Sequence, residues 1–207
     1  MSFVYLERKT TNPNAPLLLL LHGYGSNEAD LFSFTPYIPD DFYVISLQAP
    51  IAMGGVGFAW FPIHFTETME RWTNPEEVKK ATTHIHDFLC YYQEKNELEK
   101  NPIYLLGFSQ GAMLSYVYGL GNEKVRGIAA LSGYLDSRVV EASNNSIKSI
   151  YVSHGTEDMV VPYAWAKLSV EKLKEYGFRP EFHTYSSGHG INQDNLDTII
   201  LWLQAQL

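Results

Sequence analysis

The sequence predicts an α/β fold, in which a mostly parallel, doubly wound sheet carries helices on both faces. Two observations predict it. Short apolar runs alternate with longer segments of helical character along the 207 residues, and several of the apolar runs contain no alternating polar positions. Continuous apolar runs are typical of parallel strands that are covered on both faces. Alternation of strands and helices favours right-handed crossovers within one sheet.

Seven segments have the composition of strands. The first, F-V-Y-L-E, alternates in polarity and is expected to pair antiparallel at an edge, whereas several of the later segments are continuously apolar. Together they supply enough strands for a sheet with helices on each side. The predicted strands are 3–7, 17–21, 43–47, 103–107, 127–132, 149–153 and 180–185.

Four segments have the character of helices, and their ends carry recognisable signals. Asn74 followed by Pro75 is a good helix start, Pro162 opens another helix, and Gly177 ends it. No linker, repeat or low-complexity tract separates these elements, so residues 1–207 are expected to form one domain without a separate lid domain. The predicted helices are 75–95, 110–119, 162–176 and 192–206.

Composition narrows the class of partner. The formal net charge is −8, and no block of Lys or Arg interrupts it. Phosphate backbones and anionic membrane surfaces would on balance be repelled, so no nucleic-acid partner is expected. A neutral or cationic small molecule fits the charge better. The sequence does not determine the oligomeric state and leaves a homodimer open.

The lack of a recognisable targeting signal and the single cysteine both favour a cytoplasmic location. The five leucines at 17–21 are far fewer than the ~20 residues that span a bilayer, and no signal-peptide cleavage pattern follows them. No stable membrane insertion is expected. One cysteine cannot form an internal disulfide. Cys90 lies in F-L-C-Y-Y, and these apolar neighbours predict an inert, buried thiol.

The motif G-F-S-Q-G at 107–111 follows a predicted strand and precedes a predicted helix. This is the context of a nucleophile elbow in the α/β-hydrolase fold, where the turn presents a serine hydroxyl above the sheet edge. Glycine tolerates backbone angles that other residues do not, so a glycine on each side predicts a tight turn. Ser109 is the candidate nucleophile.

A serine nucleophile needs a base, and the base needs an acid to orient it. In this fold the chain order is Ser, then Asp or Glu, then His. His189 lies in a glycine-rich loop after the last strand and satisfies that order, whereas His154 precedes the best acid and His183 falls within a strand. Asp158 is the candidate acid. A capping or turn role is the alternative for this aspartate.

Two backbone amides are needed to stabilise an oxyanion. The residue after the nucleophile, Gln110, supplies one candidate. The loop L-H-G-Y-G-S after the second strand supplies the other, at Tyr24. A plain glycine turn is the alternative for this loop, and His22 is assigned to loop structure rather than to proton transfer.

Other features concern metals, cofactors and the acyl site. His84, His86 and Asp87 do not share one helical face, and no nucleotide-binding glycine motif occurs, so neither a metal nor a cofactor is expected. The segment 50–73 is expected to be a loop that contributes to an apolar acyl pocket through Met53, Trp60 and Phe61. Folding of this loop over the core is the alternative.

Six stretches of the chain resemble the phospholipase/carboxylesterase family, which includes the acyl-protein thioesterases and small bacterial carboxylesterases. The resemblance implies the α/β-hydrolase fold, with Ser109, Asp158 and His189 as nucleophile, acid and base. Pro62 and Ser26 depart from the pattern of the acyl-protein thioesterases, which disfavours lipid-modified proteins as substrates. The stretches are L-H-G-Y-G-S, A-P at 49–50, A-W-F at 59–61, G-F-S-Q-G-A, H-G-T-E-D-M-V-V-P and G-H-G at 188–190.

The sequence therefore predicts a serine hydrolase that cleaves carboxylic esters of short to medium acyl chains. The same residues could cleave an acyl thioester or a lysophospholipid, because both present an acyl carbonyl to the nucleophile. From a different class, a ligand-binding protein that retains the fold without catalysis is a further alternative.

Overall fold

A central sheet is the main feature of the computed structural model, which describes residues 3–55, 57–65, 71–143, 145–147 and 149–207. Within these residues, eleven strands occur in chain order. They are β1 (Tyr5–Arg8), β2 (Leu17–Leu21), β3 (Tyr43–Leu47), β4 (Ile51–Ala52), β5 (Phe58–Ala59), β6 (His64–Phe65), β7 (Arg71–Trp72), β8 (Ile103–Phe108), β9 (Val125–Leu131), β10 (Ser149–Gly155) and β11 (Glu181–Tyr185).

Seven of the strands in the described residues form the central sheet, in the order β1-β3-β2-β8-β9-β10-β11. Strand β1 pairs antiparallel with β3 at one edge, and every other pairing in this sheet is parallel. The C-terminal ends of β2 and β8 to β11 therefore lie at one edge of the sheet, where loops of open α/β folds bind ligands.

The helices cover the sheet on both faces. Helices α2, α3 and α4 contribute to one buried cluster, while α1 and α5 contribute to the other. Because strand side chains alternate between faces, Leu17, Leu19 and Leu21 enter the first cluster and Leu18 and Leu20 the second. The helices are α1 (Ala29–Phe32), α2 (Pro75–Lys95), α3 (Gln110–Gly121), α4 (Tyr163–Glu175) and α5 (Gln193–Gln204).

The predicted fold class is confirmed, and most boundaries agree within about two residues. Strands β2 and β3 and helix α2 have the predicted bounds. Helix α1 was not predicted, because its four residues are too few for a periodic signal. The segment 50–73 is more ordered than expected, since β4 pairs with β5 and β6 with β7. Residues 56 and 66–70 of this segment lie outside the described residues. The single-domain assignment stays a prediction.

The prediction that Cys90 is buried is wrong, because its thiol is exposed. Helix α2 turns successive residues by about 100°, so the consecutive apolar residues of F-L-C-Y-Y cannot all face the core. Phe88, Leu89 and Tyr92 enter the core, whereas Cys90 and Tyr91 face outward. Among the described residues, no helix combines the length and apolar character that crossing a bilayer requires.

The turn after β8 is tight for a different reason from the one the sequence suggested. The left-handed backbone falls on Ser109 itself, at φ 53°, and not on either flanking glycine. Glycine is needed at both positions because other backbone segments lie too close to leave room for a Cβ atom. A Cβ at Gly107 would lie 2.3 Å from the carbonyl oxygen of Gly111, and one at Gly111 would lie 1.9 Å from that of Leu21. The Ser109 amide donates to Leu131 at 2.8 Å, which fixes the turn against β9.

Replacing Gly111 with alanine is expected to lower the free energy of unfolding by about 2 kcal/mol or more. The reason is that neither helix α3 nor strand β2 can move away from the other without disturbing the sheet. Urea unfolding followed by circular dichroism measures the loss. Gly121→Ala in the same helix is the matched control, since its new methyl group would approach only the Glu141 carbonyl, at 3.5 Å. Equal stability of the two variants would contradict the close contact with Leu21.

Candidate active site

Three loops at the C-terminal edge of the sheet bring Ser109, Asp158 and His189 together. They follow β8, β10 and β11, respectively. Nε2 of His189 lies 3.0 Å from Oγ of Ser109, and its Nδ1 lies 2.7 Å from Oδ2 of Asp158. Both separations are hydrogen-bond distances. The imidazole therefore joins a hydroxyl to a carboxylate, as the chain order predicted.

The loops that carry Asp158 and His189 are held against each other by their backbones. The Glu157 amide donates to the Ser187 carbonyl at 3.0 Å. Close approach is possible because residue 155 is glycine, where a Cβ would lie 2.3 Å from that same carbonyl oxygen. The separation between carboxylate and imidazole is thus set by main-chain contacts as well as by the side chains.

Asp158 makes contacts that fit both of the roles that the sequence left open. Its Oδ1 accepts the amides of Val160 and Val161, each at 2.8 Å, which is a turn role. Its Oδ2 faces His189. The side chain is completely buried, and buried carboxyl oxygens require such donors. The two bonds to Oδ1 therefore fix the carboxylate in the orientation in which Oδ2 accepts a hydrogen bond from Nδ1 of His189.

His154 lies behind Asp158, a contact that sequence reasoning missed. Its Nε2 donates to the Val161 carbonyl at 2.8 Å and lies 3.3 Å from Oδ2 of Asp158. Burial lowers the pKa of His154, although the nearby carbonyl and carboxylate act in the opposite direction. The only available signal was the spacing of four residues to Asp158. The contacts make His154 a neutral donor that supports the carboxylate.

His22 begins the loop after β2 and has the structural role expected of it. Its Nε2 accepts the Ala49 amide at 3.0 Å, so Nδ1 must carry the proton that it donates to the Gly23 carbonyl at 2.7 Å. Burial lowers the pKa of His22. Protonation of Nε2 would break the bond from Ala49, and the neutral ring therefore holds this loop in place.

The predicted oxyanion amides lie beside Ser109. A Cβ on Gly23 would be 3.4 Å from Cβ of Ser109, which brings the loop after β2 against the serine. Tyr24 follows directly in that loop, and Gln110 begins helix α3. Within the described part of the chain, neither backbone amide donates to another protein group. Both amides thus remain available to a bound molecule.

The side chain of Gln110 has a role that the sequence did not reveal. Its Oε1 accepts the Trp60 amide at 2.8 Å, and its Nε2 donates to the Phe61 carbonyl at 2.7 Å. The Trp60 indole N–H in turn donates to the His22 carbonyl at 2.9 Å. These buried bonds connect the helix after Ser109 to the segment 60–61 and to the loop after β2.

A mainly apolar cavity of about 140 Å³ opens beside Ser109. Of the three residues predicted to bind the acyl group, only Phe61 lines it. Trp60 does not line it and is buried, with its indole N–H donating to the His22 carbonyl. The β4–β5 hairpin commits Met53 to its turn, where the amide donates to Gly57. The lining residues are Tyr24, Phe61, Ile63, Thr73, Ser109, Gln110, Met113, Tyr134, Val160, Val161 and His189.

The sequence missed most of this lining because it comes from separate elements. Met113 belongs to α3, Tyr134 follows β9, and Val160 follows β10. None of the three was predicted to line the pocket. Among the described residues, no group of three histidine, cysteine, aspartate or glutamate side chains could hold a metal ion.

Acidification is expected to destabilise the protein through His22 and His154. The pKa of each is lowered in the folded state, whereas an unfolded histidine titrates near ~6.5. Below that pH the unfolded state binds more protons, so the free energy of unfolding falls as pH drops from about 6.5 towards 5, by at most about 1.4 kcal/mol per pH unit for each histidine.

Urea unfolding at several pH values measures this slope. His154→Gln keeps an amide donor and removes one titrating ring, so its slope should be smaller than that of the wild type. An unchanged slope would contradict the neutral state of His154.

Comparison with known proteins agrees with this architecture. The phospholipase/carboxylesterase family model matches residues 7–207. Acyl-protein thioesterase 1 homolog 1 of Dictyostelium discoideum is 32% identical over 139 residues, which cover 65% of this chain and 62% of that relative. Acyl-protein thioesterase 1 of Gibberella zeae is 30% identical over 184 residues, which cover 83% of this chain and 74% of the relative.

A solved structure, the crystal structure of esterase PE8, is similar over the whole of both chains, with a TM-score of 0.89 and 28% sequence identity. The two proteins therefore share the overall fold. Because the family model matches residues 7–207 of the chain, the chain belongs to the phospholipase/carboxylesterase family of α/β-hydrolases.

Proposed function

We propose that the protein hydrolyses carboxylic esters of short to medium acyl chains, with Ser109 as nucleophile, His189 as base and Asp158 as orienting acid. Membership of the family makes the chain a hydrolase of the esterase and thioesterase class. The observation that carries the finer assignment is the continuous hydrogen-bonded chain from Ser109 through His189 to Asp158, at 3.0 and 2.7 Å.

In the first half of the reaction, Oγ of Ser109 bonds to the acyl carbon while its proton moves to Nε2 of His189. Collapse of the tetrahedral intermediate breaks the bond to the alcohol oxygen, which takes the proton from Nε2. In the second half, water attacks the acyl-enzyme by the same proton path and releases the acid. Asp158 keeps Nδ1 protonated, so Nε2 is the nitrogen that accepts and returns the proton.

The amides of Tyr24 and Gln110 are proposed to hold the oxyanion. Two observations support this role. Neither amide donates to another group in the described part of the protein, and Gly23 lies close to Ser109. Donors fixed before the reaction stabilise developing charge without reorganisation. The buried bonds of the Gln110 side chain and of His22 supply that rigidity, because they anchor both loops that carry the amides.

The small cavity beside Ser109 supports short to medium acyl groups. Its approximate volume of 140 Å³ and its apolar wall suit an acyl chain of a few carbons. Met113, largely buried on α3, forms part of its wall.

Thioester cleavage is the second candidate, because the two relatives described above are both acyl-protein thioesterases by name. The same serine, histidine and oxyanion amides would act on a thioester or on a lysophospholipid. Kinetic comparison of an ester and a thioester with the same acyl chain distinguishes them. A non-catalytic ligand-binding role would require Ser109 to be unreactive towards a fluorophosphonate.

Replacing Ser109 with alanine is expected to lower kcat for p-nitrophenyl butyrate by about 10⁴-fold or more, because the covalent step is lost. Stopped or continuous absorbance assays at saturating substrate measure kcat. Ser186→Ala is the matched control, since Ser186 is an exposed serine of the loop before His189. Wild-type turnover by the Ser109 variant would remove the proposed mechanism.

Replacing Met113 with alanine is expected to move the preferred acyl length upward by about two carbons, with roughly a fourfold gain in kcat/KM for each added methylene that becomes buried. A series of p-nitrophenyl esters measures the profile. Met159→Ala is the matched control, because Met159 is 92% exposed. An unchanged profile in the Met113 variant would place the acyl chain elsewhere.

A further inference from the structure

A second cavity, of about 270 Å³, adjoins the active-site histidine. Its wall includes Asp30 and Phe34 from the α1 region, Phe108 at the end of β8 and Ile191 after the histidine loop. The cavity beside Ser109 and this one share His189 and no other lining residue. The imidazole therefore stands between two separate spaces.

The aromatic part of this second cavity lies close to the imidazole. The ring centroids of Phe108 and His189 are 4.9 Å apart, at an interplanar angle of 44°. Phe34 is partly exposed on the wall of the same cavity. Two phenyl rings at one small cavity can receive an apolar group, and their faces also attract a cation.

Asp30 gives this cavity its charge. The carboxylate is held in place by the Ser26 hydroxyl, which donates to Oδ2 at 2.6 Å. Among the described residues that line the cavity, Asp30 is the one acidic side chain, and no lysine or arginine lies beside it. A carboxylate beside aromatic rings is a combination that binds organic cations.

We infer that this second cavity receives the leaving alcohol of the substrate and favours an alcohol that carries a quaternary or protonated amine. The inference rests on the proposed function. When the bond between acyl carbon and alcohol oxygen breaks, that oxygen takes the bonding electron pair and the proton of Nε2 of His189. The alcohol must therefore sit against His189, while the acyl group occupies the cavity beside Ser109.

A pair of esters that differ only in charge tests the inference. Butyrylcholine and 3,3-dimethylbutyl butyrate have the same acyl group and nearly the same leaving-group shape, but only the first carries a positive charge. The wild type is expected to hydrolyse the choline ester with a kcat/KM about tenfold higher, from the combined carboxylate and ring attraction. Release of butyric acid, followed by pH-stat titration, measures both rates.

Three variants locate the source of that preference. Asp30→Asn should bring the ratio of the two kcat/KM values close to one, and Phe34→Leu should lower it about threefold. Asp41→Asn is the matched control, because it removes the same charge from an exposed residue before β3, at the opposite edge of the sheet. The control should keep the wild-type ratio, which separates the cavity from the net charge of the whole protein.

The outcomes separate this inference from the proposed function. Equal hydrolysis of both esters by the wild type, or a preference that Asp30→Asn leaves intact, overturns the cationic subsite while ester hydrolysis stands. Equal losses in the Asp30 and Asp41 variants assign the preference to net charge and also overturn it. If neither ester is cleaved in a Ser109-dependent way, the proposed function fails and the inference falls with it.

Discussion

The imidazole of His189 is the contact on which the arrangement of the site depends. It bonds to Asp158, 31 residues away in sequence, and to Ser109, 80 residues away. No single segment can set these distances, because the three residues follow three different strands. The parallel register of β8, β9, β10 and β11 brings the three loops to one edge. The sheet therefore sets the positions of the three side chains, which His189 connects by hydrogen bonds.

Buried hydrogen bonds hold the backbone in place around Ser109, where it is strained. Ser109 has a left-handed backbone, which is costly for a residue with a Cβ and persists only when its surroundings fix it. Gln110 and Trp60 supply part of this fixation by joining α3 to segment 60–61 and to His22. Because buried hydrogen bonds are costly to leave unmade, these bonds hold the two loops that carry the predicted oxyanion amides firmly against the core.

The sequence predicted the sheet well because continuous apolar runs such as Leu17–Leu21 have one favourable environment, a strand covered on both faces. It also predicted that Ser109, Asp158 and His189 meet, since the order of strands decides which loops converge. Contacts across elements were harder. His154 was set aside on chain order, yet it supports Asp158 from behind. Met53 was placed at the pocket on composition alone, whereas hairpin pairing determines where it lies.

We propose above all that Ser109 is the reactive nucleophile of a site formed by the loops that follow β8, β10 and β11. Reaction with a fluorophosphonate, followed by intact-mass analysis and peptide mapping, tests it most directly, because the reagent bonds only to a hydroxyl that a neighbouring base activates. The account predicts one adduct per chain, located on the peptide that contains residue 109, and slower labelling in His189→Gln. Absence of an adduct, or an adduct on another peptide, would contradict it.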